Sequence, residues 1–423
     1  MSSKIKMIVC TLLCMILISG CSKETMSFTK DKNVTLDVGY TKEEHFKQRY
    51  SALLEDDYPN FGVHVVSTKD LLNPDTNPVE WVKENQVDLI YLPSELMEPF
   101  IREGLLADIG PLIQKDDFDL ERFIPSVIEV TKAYGNGKIY GLPTNFYGSA
   151  IVYNKDLFDK YKIQYPEDQM TWESVLLLSS RFPSTNSSNI KGISLKNTNL
   201  LDLILHIGQT SGLKAYDRQQ QQVSFNGKSW IPFWENAIRA YTNGALDINA
   251  DQNSYLAPFL AGERAMAVVS YDDYKRLEQE KLPFDWSTVT MPIDPAQSDQ
   301  SDSFRVPGFF AILNSSDDLD AAWELLKFFS SENVARWEYR SDYGFSSLLE
   351  QVVSKVEDRE KVTPFYKLSP RIDHNNDLLP NELLTISQQI LDQILNHTLS
   401  VQEGLDSLQT KADQELKRMT PMD

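Results

Sequence analysis

Apolar positions alternate at Val34, Leu36 and Val38, which predicts a strand over NVTLDVGY that turns at Gly39. Behind it, Thr41-Lys42-Glu43-Glu44 has the spacing of a capping box, and Phe46, Tyr50, Leu53 and Leu54 fall on one face of the helix it would open. A second strand is expected over 62–66, a short helix over 79–83 and a third strand over VDLIYL at 87–92, an unbroken apolar run suited to burial on both faces. Strand, helix, strand, helix, strand implies a parallel sheet covered by helices.

The pattern then changes. AYGNGKIYGLPTNFYGSAIVYNKDLF, at 133–158, reads as a hairpin-like pair of strands punctuated by Gly135, Gly137, Gly141, Pro143 and Gly148, the kind of segment that crosses from one lobe to another. Helix-rich sequence follows, in which Trp230 and Trp234 stand at helical spacing and read as packing residues. A strand is expected over AMAVVSY at 265–271 and another over RVPGFFAIL at 305–313, with a polar loop between them where Asp299 and Asp302 read as solvated charges. The next helix carries Ala322, Leu325, Leu326 and Phe329 at core spacing. Towards the C-terminus, Leu383, Ile386, Ile390 and Ile394 form one apolar stripe. Ser400-Val-Gln-Glu403 is a second capping box, opening a helix with Leu405, Leu408, Ala412 and Leu416.

The N-terminus has a different logic. Lys4 and Lys6 precede the apolar run MIVCTLLCMILI at 7–18, which falls short of the ~20 residues that span a bilayer and has the form of a signal peptide. It ends in Ile18-Ser19-Gly20-Cys21, a bacterial lipobox pattern in which small residues admit the peptidase and the Cys21 thiol takes the lipid. Residues 1–20 are therefore expected to be removed and 21–32 to form a lipidated tether, holding the remaining chain on the outer face of the cell membrane. The other two cysteines, Cys10 and Cys14, lie in the removed segment, so nothing after Cys21 can form a disulfide or a cysteine zinc site.

The 423 residues, 41% hydrophobic and 24% charged, are enough for two or three packed units. After removal of 1–20 the chain keeps 39 basic and 61 acidic residues, a net charge of −22, the wrong sign for nucleic acid and suited to a neutral or cationic solute. Enzymatic signatures are missing: there is no His-x-x-x-His pair among the five histidines, no Gly-x-Ser-x-Gly elbow, and no phosphate or dinucleotide loop. Acidic neighbours such as Asp56-Asp57 and Asp272-Asp273 are expected by chance in so acidic a chain, which leaves a glycosidase with two cleft carboxylates as the main enzymatic rival.

Several passages, in order, carry a family resemblance: VTLDVGYTKEEHFKQRY, EGLLADIGPLI, GKIYGLPTNFYGSAIVYNKDLFDKY with Thr171-Trp172-Glu173, FLAGERAMAVVSY, VPGFFAILNSSDDLDAAWELLKFFSSE and LSVQEGLDSLQTKADQEL. Together, behind a lipobox, they resemble the extracellular solute-binding proteins of bacterial ABC importers, many of which bind sugars. The resemblance implies a two-lobed periplasmic-binding-protein-like (class II) α/β fold, each lobe a mostly parallel sheet flanked by helices, with a helical C-terminal segment. It implies a non-enzymatic monomer without cofactor or metal that captures a small-molecule solute, most naturally a carbohydrate, between its lobes and delivers it to a membrane ABC permease. The same fold presenting solute to a membrane sensor is the alternative. The lobes would comprise 33–143 plus 308–344 and 144–307 plus 345–423, with crossovers near Pro143 to Tyr147, Pro307 and Gly308, and Tyr343 to Ser346.

Ligands of open α/β sheets gather at carboxyl strand ends. On that basis the family geometry names Tyr40, Ser94, Asn145, Tyr147, Asn197, Tyr271, Asp272, Phe309 and Tyr343, aromatics to stack on sugar rings and Asn or Asp to bond their hydroxyls. The chain departs from the common pattern at Glu84-Asn85-Gln86-Val87-Asp88, at Ser270-Tyr271-Asp272 and at Phe345-Ser346-Ser347, all in loops expected to form the cleft.

Overall fold

The computed structural model describes residues 33–182, 189–196, 198–218, 220–250, 254–301, 303–341, 343–352, 359–371 and 379–419. The signal segment, Cys21 and its tether, Asn197 and Asp302 lie outside these residues.

Two sheets organise the chain. The strands are β1 (Val34–Tyr40), β2 (Phe61–Ser67), β3 (Leu89–Pro93), β4 (Asn145–Phe146), β5 (Ala150–Asn154), β6 (Lys191–Lys196), β7 (Leu246–Ala250), β8 (Arg264–Val269), β9 (Trp286–Thr290), β10 (Gly308–Ile312) and β11 (Phe345–Ser346). The first sheet has the order β10-β3-β1-β2 and the second β9-β5-β8-β6-β7. In the first, β1, β2 and β3 run parallel and β10 opposes β3; in the second, β5 alone opposes its neighbours. Each sheet is thus mostly parallel, with one strand reversed, and each is buried beneath helices.

Local chemistry explains most element ends. The Asn77 side chain accepts from the amides of Val79 and Glu80, and Asn154, Thr171, Asn199, Asp318 and Ser331 cap their helices in the same way. The second expected capping box forms as read: Ser400 N–H donates to Glu403 Oε2 at 2.9 Å and Glu403 N–H to Ser400 Oγ at 3.3 Å, opening helix Val401–Met419. The first does not. That helix begins at Glu43 with no side-chain cap, and Thr41 instead offers its carbonyl to Ser67 Oγ. It then widens into a π-helical turn, Lys47–Ser51, before continuing as Ala52–Asp57.

Two other expectations are corrected. Gly39 is not a turn: β1 runs through it to Tyr40, and a Cβ there would meet Ile90 Cγ1 of β3 at 2.7 Å, so the residue serves close strand approach. The two strands expected over 133–158 do not pair with each other. β4 pairs with β11, whereas β5 belongs to the second sheet.

The helices Asn381–Leu395 and Val401–Met419 pair and bury Leu383, Ile390, Ile394, Leu405, Leu408, Ala412 and Leu416 against the second sheet's core, which also takes in Trp230 and Trp234. Beside that sheet, Asp247 of β7 receives Arg264 Nε at 2.7 Å and Lys191 Nζ at 3.1 Å. Burial alone would raise the Asp247 carboxyl pKa, but its bonds to Arg264 and Lys191 outweigh burial and hold it below the usual carboxylate value. Because the folded value is depressed, this contribution to stability is complete above the unfolded pKa, about 3.9, and is lost as pH falls through the folded one. Acid titration of Asp247→Asn followed by circular dichroism should therefore show a flatter loss of stability at low pH than the parent chain; parallel curves would mean that the pair does not contribute.

Candidate functional site

Strands β1, β2 and β3 end at Tyr40, Ser67 and Pro93, and β6 and β8 end at Lys196 and Val269. Among the described residues three segments run between the sheets, and these passes are bonded to one another. Leu142 exchanges backbone bonds with Phe310, Tyr147 N–H donates to Arg305 O and Arg305 N–H to Tyr147 O, both at 2.8 Å, and Ser347 N–H donates to Thr144 O at 2.9 Å. Phe146 stacks between Phe304 and Phe345, with centroids at 4.8 and 5.3 Å. The Asn145 side chain donates to the carbonyl of Tyr343, tying the first pass to the third.

Tyr147 is the centre of the candidate site. Its half-buried ring lies over Gly344, where a Cβ would stand 3.2 Å from Tyr147 Cζ and 2.9 Å from Phe146 O; Gly344 has φ +100°, so both space and backbone require glycine. Tyr271 meets that ring edge-on at 6.4 Å and Phe345 at 4.6 Å, and its hydroxyl donates to Tyr339 O at 3.4 Å. Burial raises the pKa of the Tyr147 hydroxyl. Arg49 acts in the opposite sense, the charge of Asp272 raises it further, and Arg305, whose guanidinium lies 5.6 Å from the ring centroid, lowers it.

Asp272 and Asp273 divide their roles. Asp273 completes a capping box with Ser270, whose N–H and Oγ lie 3.0 and 2.6 Å from its Oδ2, and it also faces Lys196 Nζ at 3.4 Å. Asp272, next along the helix Tyr271–Gln279, is exposed. Its carboxylate is the exposed one of the pair.

Arg49 and Glu338 join the site although no sequence pattern marks them. Arg49 Nε and Nη2 lie 2.9 and 2.8 Å from Glu338 Oε1, Nη1 donates to Tyr40 Oη at 3.4 Å, and the guanidinium covers the Tyr343 ring at 4.2 Å. Tyr50 Oη also donates to Glu338 Oε1, at 2.9 Å. Burial opposes charge on Arg49, but Glu338 more than offsets it and raises the guanidinium pKa above its usual value. The π-helical turn places Arg49 and Tyr50 side by side towards this cluster, in keeping with the association of such turns with functional sites.

Of the nine residues named from sequence, Tyr40, Asn145, Tyr147, Tyr271, Asp272 and Tyr343 gather here, and Asn197 lies outside the described residues. Ser94 and Phe309 do not join them. Ser94 is buried with its hydroxyl bonded to Val306 O at 2.5 Å, and Phe309, 0% exposed, packs against Tyr134 at 5.5 Å on the opposite face of the first sheet. Side chains alternate along a strand, so it is the next residue, Phe310, that faces Tyr40, Tyr50 and Tyr91. Tyr40 itself is held within that aromatic group and reaches the site through its hydroxyl. Among the described residues no three His, Cys, Asp or Glu side chains are grouped to hold a metal ion.

Residues 83–335 match the family model described as bacterial extracellular solute-binding protein. The chain belongs to this family. Among curated relatives, the sn-glycerol-3-phosphate-binding periplasmic protein UgpB of Shigella flexneri is 20% identical over 327 residues, 71% of this chain and 72% of the relative. Solved structures with the same fold include the extracellular solute-binding protein family 1 of Alicyclobacillus acidocaldarius, at TM-score 0.67 and 14% identity over 91% of this chain and 99% of that one. The sugar-binding protein MalE of Xanthomonas citri aligns at TM-score 0.62 and 15% identity, over 91% and 98%. The fold is therefore the two-lobed one of periplasmic binding proteins, and the family's place is extracytoplasmic. No helix among the described residues is long and apolar enough to cross a membrane.

Proposed function

We propose that this solute-binding protein is the capture component of an ABC importer, anchored to the outer face of the cell membrane by lipid on Cys21, and that its ligand is a carbohydrate or related polyol. The observation that carries the reading is the cluster at the chain passes, where the half-buried Tyr147 ring meets Tyr271 edge-on, the exposed Asp272 follows Tyr271 on its helix, and the Tyr343 ring lies under Arg49. An aromatic face suits the C–H side of a sugar ring, and a carboxylate accepts from its hydroxyls. Relatives whose names record sugar or sn-glycerol-3-phosphate binding support the same class. The lobes are taken as 33–143 with 308–344 and 144–307 with 345–423. The open form binds solute to one lobe, rotation about the passes brings the other over it, and the closed monomer is the form a permease takes up.

The test is a thermal-shift panel of maltose, longer maltooligosaccharides, mannitol and sn-glycerol-3-phosphate. A ligand at a hundred times its Kd should add ~2.7 kcal/mol to stability. The pair Tyr147→Ala and Asp272→Ala should remove that shift with little loss of ligand-free stability for Asp272→Ala, whose side chain is exposed. A shift with a peptide or metal chelate alone would overturn the carbohydrate assignment, and turnover of a glycoside would favour an enzyme.

A further inference from the structure

The helix Glu332–Arg340 carries two neighbouring residues with opposite allegiances. Glu338 is bonded to Arg49 and Tyr50 of the first lobe, and Val334 and Ala335 are buried in the core beneath β1 and β10, so this helix is rooted in the first lobe. Tyr339, the next residue, turns to the second lobe. Its ring lies under Lys275 Nζ at 3.8 Å, its hydroxyl donates to Glu278 Oε2 at 3.2 Å, and its carbonyl accepts from Tyr271 Oη at 3.4 Å. Lys275 and Glu278 sit on the helix Tyr271–Gln279, which follows directly from β8 of the second sheet, and they face each other at 3.6 Å with side chains only 16% and 22% exposed.

We propose that Lys275, Glu278 and Tyr339 form a clasp between the lobes that fixes their resting angle, and are positioning residues that set apparent ligand affinity without touching ligand. No side chain of the three belongs to the cluster around Tyr147, which Tyr339 reaches through its carbonyl on Tyr271 Oη. A cation over an aromatic ring and a hydrogen bond to a carboxylate stabilise whichever mutual orientation of the lobes contains them. Ligand is bound by the orientation that closes on it, and apparent affinity scales with the fraction of molecules able to adopt that orientation. A change in the clasp therefore alters the fraction and not the contacts, so every ligand must feel it by the same factor.

The inference about affinity rests on the solute-binding reading above; the inference about lobe angle does not, and the two are measured separately. Small-angle X-ray scattering of the ligand-free protein reads the angle. Lys275→Met with Tyr339→Ala should shift the scattering curve from that of the parent, with circular dichroism showing that both remain folded, and Tyr339→Phe, which keeps the ring under Lys275 and loses only the bond to Glu278, should shift it less. Should the double variant not fold, Lys275→Met and Tyr339→Phe alone carry the comparison. Calorimetric titration with maltose, mannitol and sn-glycerol-3-phosphate should show one common change in Kd, roughly three- to tenfold, for those that bind. Scattering curves that superimpose overturn the clasp. A change in Kd that differs between ligands overturns it also, since it would make these residues contacts. If none of the three ligands binds, the solute reading fails for this class while the scattering comparison still decides the clasp.

Discussion

Arg49→Ala is expected to lower folding stability by about 3–5 kcal/mol, because it leaves the Glu338 carboxylate buried without its counter-charge. Glu338 is 0% exposed, its Oε1 receives Arg49 and Tyr50, and its Oε2 has no hydrogen-bond partner among the described residues. The truncation also uncovers one face of Tyr343. Replacing both partners together, Arg49→Met with Glu338→Leu, should cost far less than the sum of the single changes, since the desolvation penalty goes with the charges. Guanidinium denaturation of the two singles and the double measures this. A loss below about 1 kcal/mol for Arg49→Ala would show that the pair behaves as a surface ion pair.

Phe146→Ala should be comparably costly, about 3–5 kcal/mol, and for a different reason. Phe146 is fully buried, stacked between Phe304 and Phe345 and edge-on to Tyr366 at 6.3 Å, so its ring holds together segments that are remote in sequence. Removing it opens a cavity where the three chain passes meet. The same cavity loosens the backbone that presents Tyr147, so ligand affinity should fall with stability, whereas Phe146→Leu should retain most of both. Urea titration beside calorimetric binding checks the pair of effects; a stable Phe146→Ala chain would mean that backbone bonds alone align the passes.

Much of the architecture was legible because its signals are local. Period-two alternation located β1, an unbroken apolar run located β3, and Ser400 with Glu403 marked the last helix to the residue. The candidate cluster could be named from sequence where it follows strand ends, as at Tyr147, Tyr271 and Asp272. It was not legible where it depends on distant partners: Arg49 and Glu338 are 289 positions apart, and in an acidic chain Glu338 looks like any surface acid on a helix. Phe309 and Phe310 fail for a geometric reason. In GFFAI every residue is apolar, so the alternation that would say which ring faces which way carries no contrast. Gly39 misled for a similar reason, since glycine signals a turn and a close strand approach equally well.

The position of β10 has one more consequence, for the order in which the molecule can be assembled. The first sheet requires a strand at 308–312, yet the chain completes all five strands of the second sheet, through Thr290, before that strand exists. As the polypeptide is made from its N-terminus, β1, β2 and β3 wait with the β3 edge unpaired until β10 arrives, and neither half is complete early, since the helices that close the second sheet's core follow only at 381–419. An open apolar edge of that kind is a site for unwanted pairing until it is covered. The nascent chain therefore depends on being kept from premature association while residues 94–307, about half of its length, are made, and folding to a finished molecule is an event of the whole chain, not of its first half.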